Sequence, residues 1–195
     1  MEKMVMFDPN GDRRRMRIAF AANITMFFVG IVGWYVADSA SLLADAFDML
    51  ADASGYIIAM IAIGRSTSFQ KNSARWNGAM LMLLGAGVIG EVIRRFIVGS
   101  EPLALFIVGF AILSLLVNGS VLTMLARYRH APEIHLHATW VDTRADVIVN
   151  LGVLASGAAI AMSGYRKIDL IVGFLIGVYV IKEGLEIWHE AGKEE

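Results

Sequence analysis

The chain has 195 residues, 57% hydrophobic and 18% charged, with a net charge of −1 and no cysteine. A soluble domain carries about 25% charged residues, and a mean hydropathy of +0.61 directs the excess apolar surface to lipid. The near-neutral charge excludes a nucleic-acid-binding field, and the missing cysteines exclude disulfides and thiolate ligands, leaving oxygen and imidazole for any metal.

Residues 1–17 are polar and basic, with no short apolar core ahead of a small-residue cleavage site. They read as a cytoplasmic N-terminal segment and not as a signal peptide. Six apolar stretches follow. The first runs from about Ile18 to Ala37, and the second from Leu42 to Gly64 after a short Asp38-Ser39-Ala40-Ser41 turn. A polar loop, RSTSFQKNSAR, leads to the third, Trp76 to Val98. Gly99-Ser100-Glu101-Pro102 breaks the chain before the fourth, Leu103 to about Leu125. After ARYRHAPE comes the fifth, Ile134 to about Met162; the last turn, Gly164 to Asp169, opens a sixth that ends near Trp188. Each can cross a hydrocarbon core about 30 Å thick at about 1.5 Å per residue. The expected fold is all-α, a six-helix transmembrane bundle over residues 18–189. Residues 190–195 form a short cytoplasmic tail with no C-terminal domain.

Orientation follows from the basic residues. With the N-terminus inside, the cytoplasmic side holds Lys3, Arg13, Arg14, Arg15, Arg17, Arg65, Lys71, Arg75, Arg127, Arg129, Lys182 and Lys193. The opposite side holds Arg94, Arg95, Arg166 and Lys167. This bias places both termini in the cytoplasm, with Arg94 and Arg95 snorkelling from the outer end of the third span.

Ionisable groups inside spans are functional candidates by default. The second span carries Asp45, Asp48 and Asp52 in LLADAFDMLADASGY, and the fifth carries Asp142 and Asp146 in TWVDTRADVIVN. Asp48 and Asp52, like Asp142 and Asp146, are four residues apart, so each pair stacks on one helix face. Each pair lies roughly 8 to 12 residues into its span, about 12–18 Å deep and near the midplane. The two spans run in opposite directions, so four carboxylates reach one level. Such a cluster needs a cation or protons to neutralise it, and carboxylates ligate metal deprotonated. Metal and proton occupancy then exclude one another, which is the physical basis of an antiporter.

The remaining polar groups have simpler readings. Asp45, one turn before Asp48, is expected to support the ligands from behind or to line the outer pathway. Arg144 is about 200° round the helix from the acids beside it and is expected to bridge to Glu91 or Asp45 on another helix. Asn23 and Asn118 suit interhelical hydrogen bonds. His130, His135 and His137 cluster at the cytoplasmic start of the fifth span, with His137 a possible pathway residue. Gly85, Gly87 and Gly90 in the third span, and Gly173 and Gly177 in the sixth, suit close helix packing.

These strings resemble the transmembrane domain of the cation diffusion facilitator family of metal/proton antiporters. SLLADAFDMLADA resembles the family's metal helix, and TWVDTRADVIVNLGVLASG resembles its partner helix, usually His-x-x-x-Asp. GEVIRRFIVGSEPL, SLLVNGSVLTMLARYR and KIDLIVGFLIGVYVI are similar to its third, fourth and sixth helices. The resemblance implies a transport site of Asp48, Asp52, Asp142 and Asp146, a homodimer, and alternating access. Asp142 stands where the family usually has His, the loop after span two lacks the histidines of an accessory site, and the usual cytoplasmic C-terminal domain is not seen after HEAGKEE.

An all-oxygen donor set tilts selectivity toward Mn²⁺ or Fe²⁺, whereas the family resemblance favours Zn²⁺, with Cd²⁺ as a mimic and Co²⁺ also in range. The expected function is proton-coupled efflux of Zn²⁺ through the plasma (inner) membrane, without an organic cofactor. A non-transporting metal-binding subunit and a proton or sodium pathway are the competing classes. No nucleophile–base set or phosphate loop points to an enzyme.

Overall fold

The structure, a computed structural model, describes residues 9–62, 67–130 and 134–193. The described residues form six α-helices: α1 (Pro9–Ala37), α2 (Ala40–Ala62), α3 (Thr67–Val98), α4 (Ala104–Leu125), α5 (Ile134–Ser163) and α6 (Lys167–Lys193). A short 3₁₀ turn, Ala126–His130, follows α4. Among the described residues there is no strand. The helices overrun the apolar stretches. α1 starts at Pro9 and not near Ile18, and α3 runs through most of RSTSFQKNSAR. Hydropathy marks where lipid begins; the i→i−4 ladder continues into the polar zone wherever packing supports it. Asp12, 5% exposed, provides such support, accepting from the Tyr128 hydroxyl at 2.6 Å and from Arg15 at 3.3 Å.

The bundle is apolar outside and buries polar groups beside an apolar core. Tyr35, Leu83, Leu105 and Met162 are largely exposed, whereas Asp45, Asp48, Ser114, Asn118, Asp146 and Asn150 are buried. That arrangement suits a hydrocarbon solvent, where polar groups must find partners within the protein. Among the described residues, Gly11–Ala37, Ala104–Arg129 and Thr143–Ser163 are long and apolar enough to cross a membrane on composition alone. The other helices carry more polar residues, including the acids of α2 and the polar first turns of α3.

Small residues close the seams. A Cβ on Gly78 would lie 2.6 Å from the Gly184 carbonyl oxygen, and one on Gly85 would lie 2.8 Å from that of Gly177. α3 and α6 therefore touch backbone to backbone. Gly173 meets Ala40 of α2 in the same way. Gly87 and Gly90 do not share this role: among the described residues nothing lies within 4 Å of a Cβ built on either, because they turn away from α6.

The α1–α2 turn end is tied by polar links. Asp38 adopts a left-handed backbone (φ 48°), which Asp tolerates better than most residues, and the chain reverses within two residues. Asp169, in the first turn of α6, reaches across to α2. Its Oδ1 accepts from the Ser39 and Ser41 hydroxyls, both at 2.6 Å, and its Oδ2 accepts from the Ala40 N–H at 2.6 Å. A carboxylate from another helix thus caps α2. Arg95 does not snorkel outward as expected. It is 3% exposed and donates to Glu91 of its own helix and to Asp38 across the turn. Arg94, one residue and about 100° away, is the exposed partner of Glu91.

Candidate metal centre

The acids of α2 and α5 meet. The Asp52 and Asp146 side chains lie within interaction range of one another. The charges of Asp52, Asp48 and Glu183 all bear on Asp146. Asp48 is 3% and Asp146 4% exposed. Among the described residues, Asp52 Oδ2 and Asp146 Oδ2 are buried without a hydrogen-bond partner. One turn along, the Tyr56 hydroxyl and Thr143 Oγ1 lie 2.9 Å apart, fixing the register of the two helices. Regular i→i+4 spacing builds this face: α2 presents Asp48, Asp52 and Tyr56, and α5 presents Asp146 and Thr143 on one buried stripe.

Asp142 lies outside the residues whose side chains are described, as do His130, His135 and His137. Asp45 is buried and accepts from Ser114 Oγ of α4 at 3.0 Å, so it faces α4. Among the described residues, no three Asp, Glu or His side chains are gathered tightly enough to hold an ion as they stand. Mutual repulsion of buried like charges is a physical reason for such spacing.

Several neighbours differ from expectation. Arg144 is exposed and stacks on Trp140, 5.9 Å from the ring centre, with Arg129 on the same ring at 5.8 Å. Neither Glu91 nor Asp45 is its partner, since those carboxylates are held by Arg94, Arg95 and Ser114. Asn23 donates within its own helix, to the Ala19 carbonyl at 3.2 Å, and not across helices. Asn118 Oδ1 is buried without a partner among the described residues. Glu183 of α6, which acts on Asp146, was not singled out in the sequence. It sits in KEGLEIW at the polar end of an apolar run, where an acid looks like an interfacial residue.

Residues 16–194 match the family described as the cation efflux transmembrane domain. The chain therefore belongs to the cation efflux family, also called the cation diffusion facilitators, and is an integral membrane protein. It is 24% identical to zinc transporter ZitB of Yersinia pestis, with 100% of this chain and 66% of that protein covered. It is 25% identical to the metal cation efflux system protein CzcD of Cupriavidus metallidurans, over 89% of this chain and 58% of that protein. It is 21% identical to the cadmium, cobalt and zinc/H⁺–K⁺ antiporter of Bacillus subtilis, over 90% of this chain and 61% of that protein. The chain spans about three fifths to two thirds of the length of these curated relatives.

Proposed function

We propose that this chain exports a divalent transition-metal ion by exchange with protons, using Asp48, Asp52, Asp142 and Asp146 as ligands. The observation that carries the reading is the approach of Asp52 to Asp146, each with a buried oxygen left without a hydrogen-bond partner among the described residues. Carboxyl groups that carry protons release them when a cation takes their place. The site therefore trades one cargo for the other. The zinc, cadmium and cobalt in the relatives' names put Zn²⁺ first, with Cd²⁺ and Co²⁺ in the same class. Mn²⁺ or Fe²⁺ is the second reading, favoured by an acid set without cysteine. The basic residues support cytoplasmic termini in a plasma membrane, and the family resemblance supports a homodimer.

Flux in proteoliposomes tests the site: Asp48→Ala and Asp146→Ala are each expected to abolish metal uptake, and near-normal transport in both rejects it. Vesicles acid inside are expected to take up metal faster than vesicles at equal pH, because outgoing protons drive the exchange. Indifference to the gradient rejects proton coupling. Competition between Zn²⁺ and Mn²⁺ in the same vesicles ranks the ions, and strong Mn²⁺ transport without Zn²⁺ transport overturns the first choice.

A further inference from the structure

Arg144 faces the wrong solvent. It is exposed, as are Ile148 and Leu151, while Thr143, Asp146 and Asn150 are buried. Residues three and four apart share a helix face, so Arg144 heads the stripe of α5 that meets lipid. From Val147 to Met162 that helix carries no further charge. No carboxylate pairs with Arg144 among the described residues. A cation on a lipid-facing stripe needs an anion or water within reach of its side chain.

Arg144 lies 5.9 Å from the ring centre of Trp140, one turn back, and Arg129 lies 5.8 Å from the same centre. Arg129 fixes the level of this group. It follows α4, whose residues 104–125 carry no charge. At about 1.5 Å per residue, that helix matches a hydrocarbon core about 30 Å thick. The indole and both guanidiniums therefore stand where the apolar zone ends. Arg129, too, has no acid partner among the described residues. Other cations gather at the same end of the bundle. Tyr128 ties that end to Asp12 of α1, and Arg13, Arg14 and Arg17 nearby in the chain are exposed.

We propose that Arg129, Arg144 and Trp140 bind the phosphodiester headgroup of an anionic phospholipid, whose acyl chains lie along Ile148 and Leu151. A guanidinium fork matches two phosphate oxygens, and an indole favours the headgroup level. Basic sites beside membrane helices select anionic headgroups. The apolar stripe that continues from Arg144 gives a lipid a second hold that free phosphate lacks. The lipid thus rests on the helix that carries Asp146, about 200° round from that acid.

Native mass spectrometry of the full chain, released from detergent, counts bound lipids directly. Dioleoyl phosphatidylglycerol and dioleoyl phosphatidylcholine share their acyl chains and differ in headgroup charge. The unmodified chain is expected to bind phosphatidylglycerol about tenfold more tightly than phosphatidylcholine. Equal affinity for the two overturns the proposal, whether or not any variant folds. Arg144→Ala and Arg129→Ala are each expected to remove most of the preference. Arg94→Ala, an exposed arginine at the opposite end of the bundle, is expected to keep it. Equal losses in all three mark diffuse charge attraction and overturn the site. Excess inorganic phosphate is expected to leave the lipid bound, and complete displacement makes this a free-anion site instead. If Arg144→Ala splits a dimer without changing the lipid preference, the face belongs to a second copy of the chain and the lipid falls.

Discussion

At the first turn of α2, the Asp169 carboxylate receives four hydrogen bonds, from two hydroxyls and two backbone N–H groups. Farther along the same helix, Asp52 approaches Asp146, and each leaves a buried oxygen without a hydrogen-bond partner among the described residues. The residue type and the degree of enclosure are similar, and the chemistry is opposite. A saturated carboxylate has no lone pair to offer a guest, so Asp169 can only hold helices together. An undersaturated pair is poor at holding helices and well suited to receiving a cation. The contrast teaches that a buried acid's task is read from its unfilled hydrogen-bonding capacity and not from burial alone.

The comparison breaks most visibly at the undersaturated pair. Asp146→Ala is expected to lower metal flux by about 100-fold or more, on the scale of ligand-shell losses. Thermal unfolding in detergent should show stability unchanged or raised, because a repelled buried charge has been removed. A large loss of stability would show that the pair is structural after all. Asp169→Ala should do the reverse. Losing a charged acceptor that serves four donors is expected to cost about 3 kcal/mol, read as a lower unfolding midpoint. Metal affinity per folded molecule, measured by calorimetry, should stay the same.

Arg95→Ala sharpens the same contrast at the tied end, with an expected cost of about 2 kcal/mol from losing the buried guanidinium that joins Glu91 to Asp38. Arg94→Ala beside it is expected to leave the unfolding midpoint unmoved. Equal effects of the two substitutions would contradict the inward placement of Arg95. Tyr56→Phe is the smallest change, with an expected cost of about 0.6 kcal/mol, the average for a hydrogen bond between membrane helices. Its flux should remain close to that of the unmodified chain. A collapse of transport would instead make the Tyr56–Thr143 contact part of the ion path.

The sequence revealed what depends on local spacing. The acids of α2 and α5 stand out because i→i+4 repeats within apolar runs are rare, and their matched depths predict that the two acidic faces reach one level. Residues whose roles depend on distant partners were hidden. Asp169 looks like any first-turn acid complementing a helix dipole, since its serines are 128 and 130 residues away. Arg94 and Arg95 read alike as a pair, although about 100° of rotation sends only one inward. Gly87 and Gly90 resemble Gly85 in composition, but they face away from α6. Arg144 was expected to seek a carboxylate, and the local face offered Trp140. The start of α3 was hidden for a different reason: polarity was read as a loop, while helical hydrogen bonding does not require apolar side chains.

The cap on α2 also bears on how the protein is made. The backbone N–H groups that open the acid-bearing helix find their acceptor on α6, four helices later in the chain. During synthesis the first turn of α2 therefore emerges uncapped, and its anchor arrives only once α6 has been made. A chain interrupted before Asp169 would carry the acids of α2 and α5 without the anchor that seats α2. Biogenesis thus couples the seating of the acid-bearing helix to the arrival of α6.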